Sequence, residues 1–124
     1  MTTCLFCSID QSRIIASNDL AYAISDGFPV TEGHSLIIPR RHVPDYFGLT
    51  REELLACDEL LRLVKNDLQR HDPSISGFNI GMNAGEAAGQ TIFHCHTHLI
   101  PRRSGDVDEP RGGVRHLIPG KGAY

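Results

Sequence analysis

No charge of one sign dominates this 124-residue sequence: 12 Lys and Arg stand against 15 Asp and Glu, a net charge of −3. That near-balance excludes general electrostatic attraction to a nucleic-acid polymer or to an acidic membrane. Long apolar runs are also missing. The uncharged stretches from the middle of the chain onward carry Gly, Asn and Thr, so no membrane-spanning helix is expected. Tryptophan is absent. The head of the chain lacks the basic and long apolar regions of a secretory signal, so a cytoplasmic location is expected. Disulfides are rare in that compartment, so the four cysteines are not read as a staple framework. The length fits one domain, with a radius of gyration of about 14 Å, and leaves no room for a second.

What is over-represented is histidine. Three of the seven fall within five residues, as His94, His96 and His98. Near the N-terminus, Cys4-x-x-Cys7 reads as a metal half-site or a redox pair. A thioredoxin-like motif should follow a strand and open a helix, and no strand precedes this one. Cys57 and Cys95 read as small packing residues.

The apolar pattern indicates an α+β fold. A short helical turn is expected at 4–11, and a β-hairpin at 13–17 and 20–25 around Asn18-Asp19. A strand follows at 34–39, closed by Pro39. Thr50-Arg51-Glu52-Glu53 is a capping box for a long amphipathic helix ending near Arg70, before Asp72-Pro73. Residues 77–83 and 92–100 alternate as strands, the second ended by Pro101. Together these predict a mainly antiparallel sheet of about five strands, one long helix and one short helix, in a domain spanning 1–103. A tail at 104–124 belongs to that domain or contacts a partner subunit. A single helix covers one sheet face only in part, which makes a homodimer plausible.

On a regular strand the three histidines would form a row on one face, opposite Cys95, Thr97 and Leu99. The outer two would be roughly 13 Å apart, too far to share one zinc ion easily, so divided labour is expected. Three imidazoles would need three sets of partners as buried packing residues, and a hydrolytic metal site would lack a carboxylate ligand in the strand. Before the row, Gly85, Gly89, Gln90 and Thr91 offer backbone N–H groups, an amide and a hydroxyl, which suit a phosphate. A neutral imidazole facing a cradled phosphorus is a competent nucleophile.

Gly89-Gln90-Thr91-Ile92-Phe93-His94-Cys95-His96-Thr97-His98-Leu99-Ile100 resembles the histidine-triad (HIT) signature. Cys95 and Thr97 are less hydrophobic than the usual intervening residues. The resemblance extends to 26–42 and to Asn83 with Gly85. It implies hydrolysis or nucleotidyl transfer at the α-phosphate of a nucleoside 5′-phosphoramidate or dinucleoside polyphosphate. The catalytic residues would be His96, His98, His94 and Gln90, with His96 the nucleophile, its Nδ1–H held by a main-chain carbonyl. His98 would contact the phosphate, Gln90 and Thr91 would hold phosphate oxygens or the leaving group, and His34 would support the His96 side. Asp26 would accept from ribose hydroxyls, with Gly27, Asn83 and Gly89 also at the nucleotide. The resemblance also implies a structural zinc ion on Cys4, Cys7, His42 and His94, a closed Cys₂His₂ set, and no organic cofactor.

The expected ligand is a small nucleotide, a purine nucleoside phosphate for preference. A nucleotide-binding regulatory or scaffold protein with incidental hydrolysis is the alternative. His71 and His116 are expected at the surface. Arg111, Arg115 and Lys121 are candidates to meet additional phosphates from the tail.

Overall fold

Asn18 builds the first turn. Its side-chain carbonyl accepts from Leu20 N (3.1 Å) and Ala21 N (2.9 Å), while its amide donates to Ala56 O on the long helix (2.9 Å). The turn joins β1 (Ile14–Ser17) to β2 (Ala21–Ser25), as the asparagine–aspartate pair predicts. The computed structural model describes residues 4–122 and 124. Met1, Thr2 and Thr3, which head the stretch assessed for an export signal, lie outside the described residues. β3 (Ser35–Pro39), α1 (Arg51–His71), β4 (Ile75–Gly81) and β5 (Thr97–Arg103) complete the core. The strands form one antiparallel sheet in the order β1-β2-β3-β5-β4. No helix among the described residues is long and apolar enough to cross a membrane.

Strand alternation sorts the buried residues onto two faces. On one, Ala21, Ala23, Ile37 and Leu99 pack against Leu60 and Val64 of α1. On the other, Tyr22, Ile24, Leu36 and Ile38 pack with Phe6, from a single 3₁₀ turn at Phe6–Ser8. That second face carries His98, which pairs with Leu36 across β3 and β5.

The capping box forms as expected. Glu53 N donates to Thr50 Oγ1 (3.1 Å), and Thr50 N donates to Glu53 Oε1 (2.8 Å). Glu53 does more than cap: it also takes a two-pronged ion pair from Arg41, with Nε–Oε2 2.9 Å and Nη2–Oε1 2.8 Å. Arg41 and the capping bonds hold its carboxyl at about 2, below the ordinary value of 4.5. A carboxylate with a lowered folded-state pKa stabilises fully above its unfolded value and loses that stabilisation as pH falls toward the folded one. Glu53→Gln is expected to cost about 2 kcal/mol at pH 7, because Arg41 is half exposed and keeps some hydration. The difference from the parent should shrink between about pH 4.5 and pH 2 in denaturant titrations.

The last two strands depart from expectation at both ends: the fourth stops at Gly81, and the fifth is not ended by Pro101 but runs through it to Arg103, paired with β4. The fourth strand begins earlier, at Ile75, and pairs with Arg103. The fifth begins only at Thr97, so 92–96 is not strand. There Cys95 N donates to Val43 O (2.7 Å), outside the sheet, and the imidazoles of His94 and His96 diverge from a strand row.

The tail folds on itself. Arg115 donates to Gly122 O (3.3 Å) and Lys121 O (3.2 Å), and the guanidinium groups of Arg111 and Arg115 lie over the Tyr124 ring. His116 is at the surface, as is His71, but its ring occupies the space that a side chain at Gly122 would need.

Candidate active site and metal cluster

Three elements converge on the open sheet face: the 3₁₀ turn at Phe6, the β2–β3 loop carrying Asp26 and His34, and the segment from Asn83 to His98. They enclose a cleft of about 300 Å³, lined by Asp26, Gly27, Asn83, Gly89, Gln90, Thr91, His96 and His98. Every residue expected at the nucleotide except His34 lines this cleft; His34 lies directly behind His98. A larger, shallower depression of about 550 Å³ borders Asn79, Arg102, Arg103 and Asp106. Its charged groups are largely spent on one another or on Asp72, whereas the smaller cleft gathers the residues singled out in the sequence.

His96 Nδ1–H donates to the His94 carbonyl at 2.8 Å, which leaves the Nε2 lone pair available. This is the arrangement a nucleophilic imidazole requires. Its ring stands 5.3 Å from that of His98, centroid to centroid.

The tautomer of His98 follows from a chain of bonds. Val30 N–H donates to His34 Nδ1 (3.1 Å), so His34 carries its proton on Nε2. That Nε2–H donates to His98 Nδ1 (2.9 Å), so neutral His98 carries its proton on Nε2. Burial lowers the pKa of both imidazoles and is the leading cause in each, partly opposed by the Asp26 carboxylate. His98 therefore keeps an N–H donor beside His96, suited to an oxyanion. His34 supports His98 and not His96 as the signature suggested, because the pairing of Ser35 with Leu99 carries it alongside His98.

Asp26 Oδ2 lies 3.3 Å from His34 Nε2 and 3.9 Å from His98 Nδ1, while Oδ1 accepts from Phe28 N (2.8 Å). These three side chains could be mistaken for a metal triad. A metal on His34 Nε2 would require a proton on Nδ1, which would then meet the Val30 N–H head on. The cluster is a hydrogen-bond chain.

Gln90 corrects a second expectation. It is 3% exposed, with Oε1 accepting from Gly85 N (2.8 Å) and Nε2 donating to Pro44 O (2.6 Å) and Ile92 O (3.1 Å). Its amide has no donor left for a phosphate or leaving group; it shapes the loop that presents Gly89 and Thr91. Gln90→Ala would strand those three backbone groups and is expected to lower stability by about 2 kcal/mol, measured by urea unfolding. Phe6, Arg13, Ile24, Leu36 and Ile92 also line the cleft, and the motif reading missed them. Phe6 lies within the Cys4-x-x-Cys7 motif, which was its one available signal.

Behind the cleft, Cys4, Cys7, His42 and His94 each offer a ligand atom, all within 4.8 Å of one another. His94 Nδ1 lies 3.3 Å from Cys4 Sγ and 3.5 Å from Cys7 Sγ, and His42 Nδ1 lies 3.3 Å from Cys7 Sγ. Tetrahedral zinc with ordinary bond lengths places such N and S atoms about 3.5 Å apart. His94 Nε2–H donates to Pro39 O (2.7 Å), which turns the Nδ1 lone pair toward the cluster, as bound histidines usually require. The donor set fits zinc. Cys57 and Cys95 lie elsewhere, their thiols pushed up to about 11 and about 12 chiefly by burial.

The cleft thus brings together an imidazole with a free Nε2, an ordered N–H donor and a glycine-rich loop on one face of the antiparallel sheet. The HIT domain family model matches residues 9–105, and the chain belongs to the HIT family. It is 37% identical over 105 residues to an uncharacterised HIT-like protein of Mycoplasma genitalium, covering 82% of this chain and 74% of that one. An AP-4-A phosphorylase of Mycobacterium tuberculosis is 33% identical, with 82% of this chain and 52% of the relative covered. A bis(5′-nucleosyl)-tetraphosphatase of Schizosaccharomyces pombe is 37% identical, with 79% and 53% covered. The chain thus spans about half the length of these two enzymes. A Zn-bound histidine triad family protein of Mycobacterium smegmatis superposes with a TM-score of 0.76 at 32% identity, covering 84% of this chain and 78% of that one.

Proposed function

We propose that this chain cleaves a small nucleotide at its α-phosphate through a covalent nucleotidyl-His96 intermediate. A nucleoside 5′-phosphoramidate or a dinucleoside polyphosphate is the substrate class. The observation that carries this reading is the His96 Nδ1–H bond to the His94 carbonyl, with Nε2 left free at the cleft. The names of the two enzyme relatives support chemistry on nucleotides.

The His96 Nε2 lone pair attacks phosphorus, and an N–P bond forms as the bond to the leaving group breaks. The leaving group departs with that electron pair and takes up a proton. Water then attacks phosphorus, the N–P bond breaks, and the nucleoside monophosphate leaves while His96 recovers its lone pair. If phosphate replaces water, the same intermediate yields transfer. His98 Nε2–H and the backbone N–H groups around Gly89 and Thr91 would stabilise charge on the phosphate oxygens. Asp26 retains lone pairs for ribose hydroxyls.

Cys4, Cys7, His42 and His94 would hold zinc, which supplies a structural tie with no open coordination position. A homodimer is part of this reading, supported by β4 as an outer strand with Ile80 exposed. The test is a quenched reaction with adenosine phosphoramidate and diadenosine polyphosphates, followed by peptide mass spectrometry. A nucleotidyl adduct on His96 is expected; an adduct on His94 or His98 would refute the assignment. Tight AMP binding with negligible turnover would favour the binding-protein alternative.

A further inference from the structure

We infer that Phe6 is a positioning residue through which the Cys4/Cys7/His42/His94 cluster and the nucleotide cleft sense each other; this rests on the function proposed above. Phe6 sits inside the cysteine pair, and the turn around it is closed by Cys7 N–H donating to Cys4 O (3.2 Å). It is 4% exposed, and its carbonyl accepts from the Tyr22 hydroxyl. Its ring meets two histidines edge-on: His94, a member of the cluster, at 5.9 Å, and His96, the nucleophile, at 5.1 Å. The same ring lines the cleft.

His94 forms a second link, with its ring facing the thiols and its carbonyl holding His96 Nδ1–H. His96 is thus braced by two groups: the Phe6 ring, carried between two of the candidate ligands, and the carbonyl of His94, which is itself a third. A metal on the four side chains pins both ends of the turn that carries Phe6. Without it, that turn keeps its local bonds from Cys7 N–H and Ser8 Oγ to Cys4 O, the Tyr22 bond and its apolar contacts, but loses its tie to His42 and His94, and the wall behind His96 loosens. Coupling between two binding sites is reciprocal, so a nucleotide that needs the wall in place must in turn hold the metal more firmly.

The test measures zinc affinity by equilibrium competition with a chromogenic chelator, with and without saturating AMP. AMP should tighten zinc binding about fivefold in the parent protein. In Phe6→Leu, which keeps an apolar side chain but removes the ring, the tightening should fall below about twofold, whatever the absolute affinity. Equal tightening in both proteins overturns the role of Phe6. Unchanged zinc affinity in the parent despite AMP binding, confirmed by equilibrium dialysis, overturns the coupling and leaves the proposed function standing. Absence of AMP binding overturns both. Should Phe6→Leu fail to fold, Phe6→Met fills the same space without a ring, and its affinity ratio decides the role of Phe6 by the same criterion.

Discussion

His96→Ala should abolish turnover, with a loss of at least about a thousandfold, while AMP affinity changes only a few-fold. The size follows from the role. Without the imidazole, the N–P bond cannot form, and the cleft can only bind and polarise the substrate. The groups proposed to hold the phosphate, His98 Nε2–H and the loop around Gly89 and Thr91, belong to other residues and persist in the variant. Affinity and turnover should therefore separate, as expected for a group whose contribution appears at the chemical step. The check is steady-state kinetics beside isothermal titration with AMP. A variant keeping a tenth of parental turnover would show that His96 is not the nucleophile.

Cys4→Ser is expected to have the largest effect on stability. Zinc on the four residues would join the N-terminus to His94, closing a loop that spans most of the domain. Cross-links closing loops of this length are worth about 4 kcal/mol when the native geometry is unstrained. The fall in melting temperature should be about 10 °C or more for a chain of this size. Elemental analysis should find one zinc per chain in the parent and little in the variant. A strong chelator should bring the parent down toward the variant. A parent protein that carries no zinc and melts unchanged with chelator would refute the metal site.

The histidine cluster, the capping box and the Asn18 turn were legible because each depends on neighbours in sequence, although the expected strand row of three imidazoles does not form. The fifth strand was mis-bounded for the opposite reason. Alternation at 92–96 is real, but Cys95 bonds to Val43 and His96 folds back on the His94 carbonyl, and neither contact follows from period-two patterning. Gln90 was chemically well suited to a phosphate. Its actual partners, Pro44 and Gly85, come from a loop crossing that only the fold creates. The His34–His98 pairing depends on strand register, which no local pattern announces. The spacing of the histidines raised divided labour only as an expectation, and the placement of Phe6 between two of them required the tertiary structure.

The stretch from Pro39 to His42 meets three parts of the molecule within four residues. The Pro39 carbonyl accepts from His94 Nε2–H, Arg41 grips the cap of α1, and His42 enters the cysteine cluster. Adding or deleting one residue there would put all three anchors out of phase together, with no flanking slack to absorb the slip. The connection must therefore keep its length, whereas point changes at Arg40, whose side-chain bond is to Asn18 O, disturb only the first hairpin.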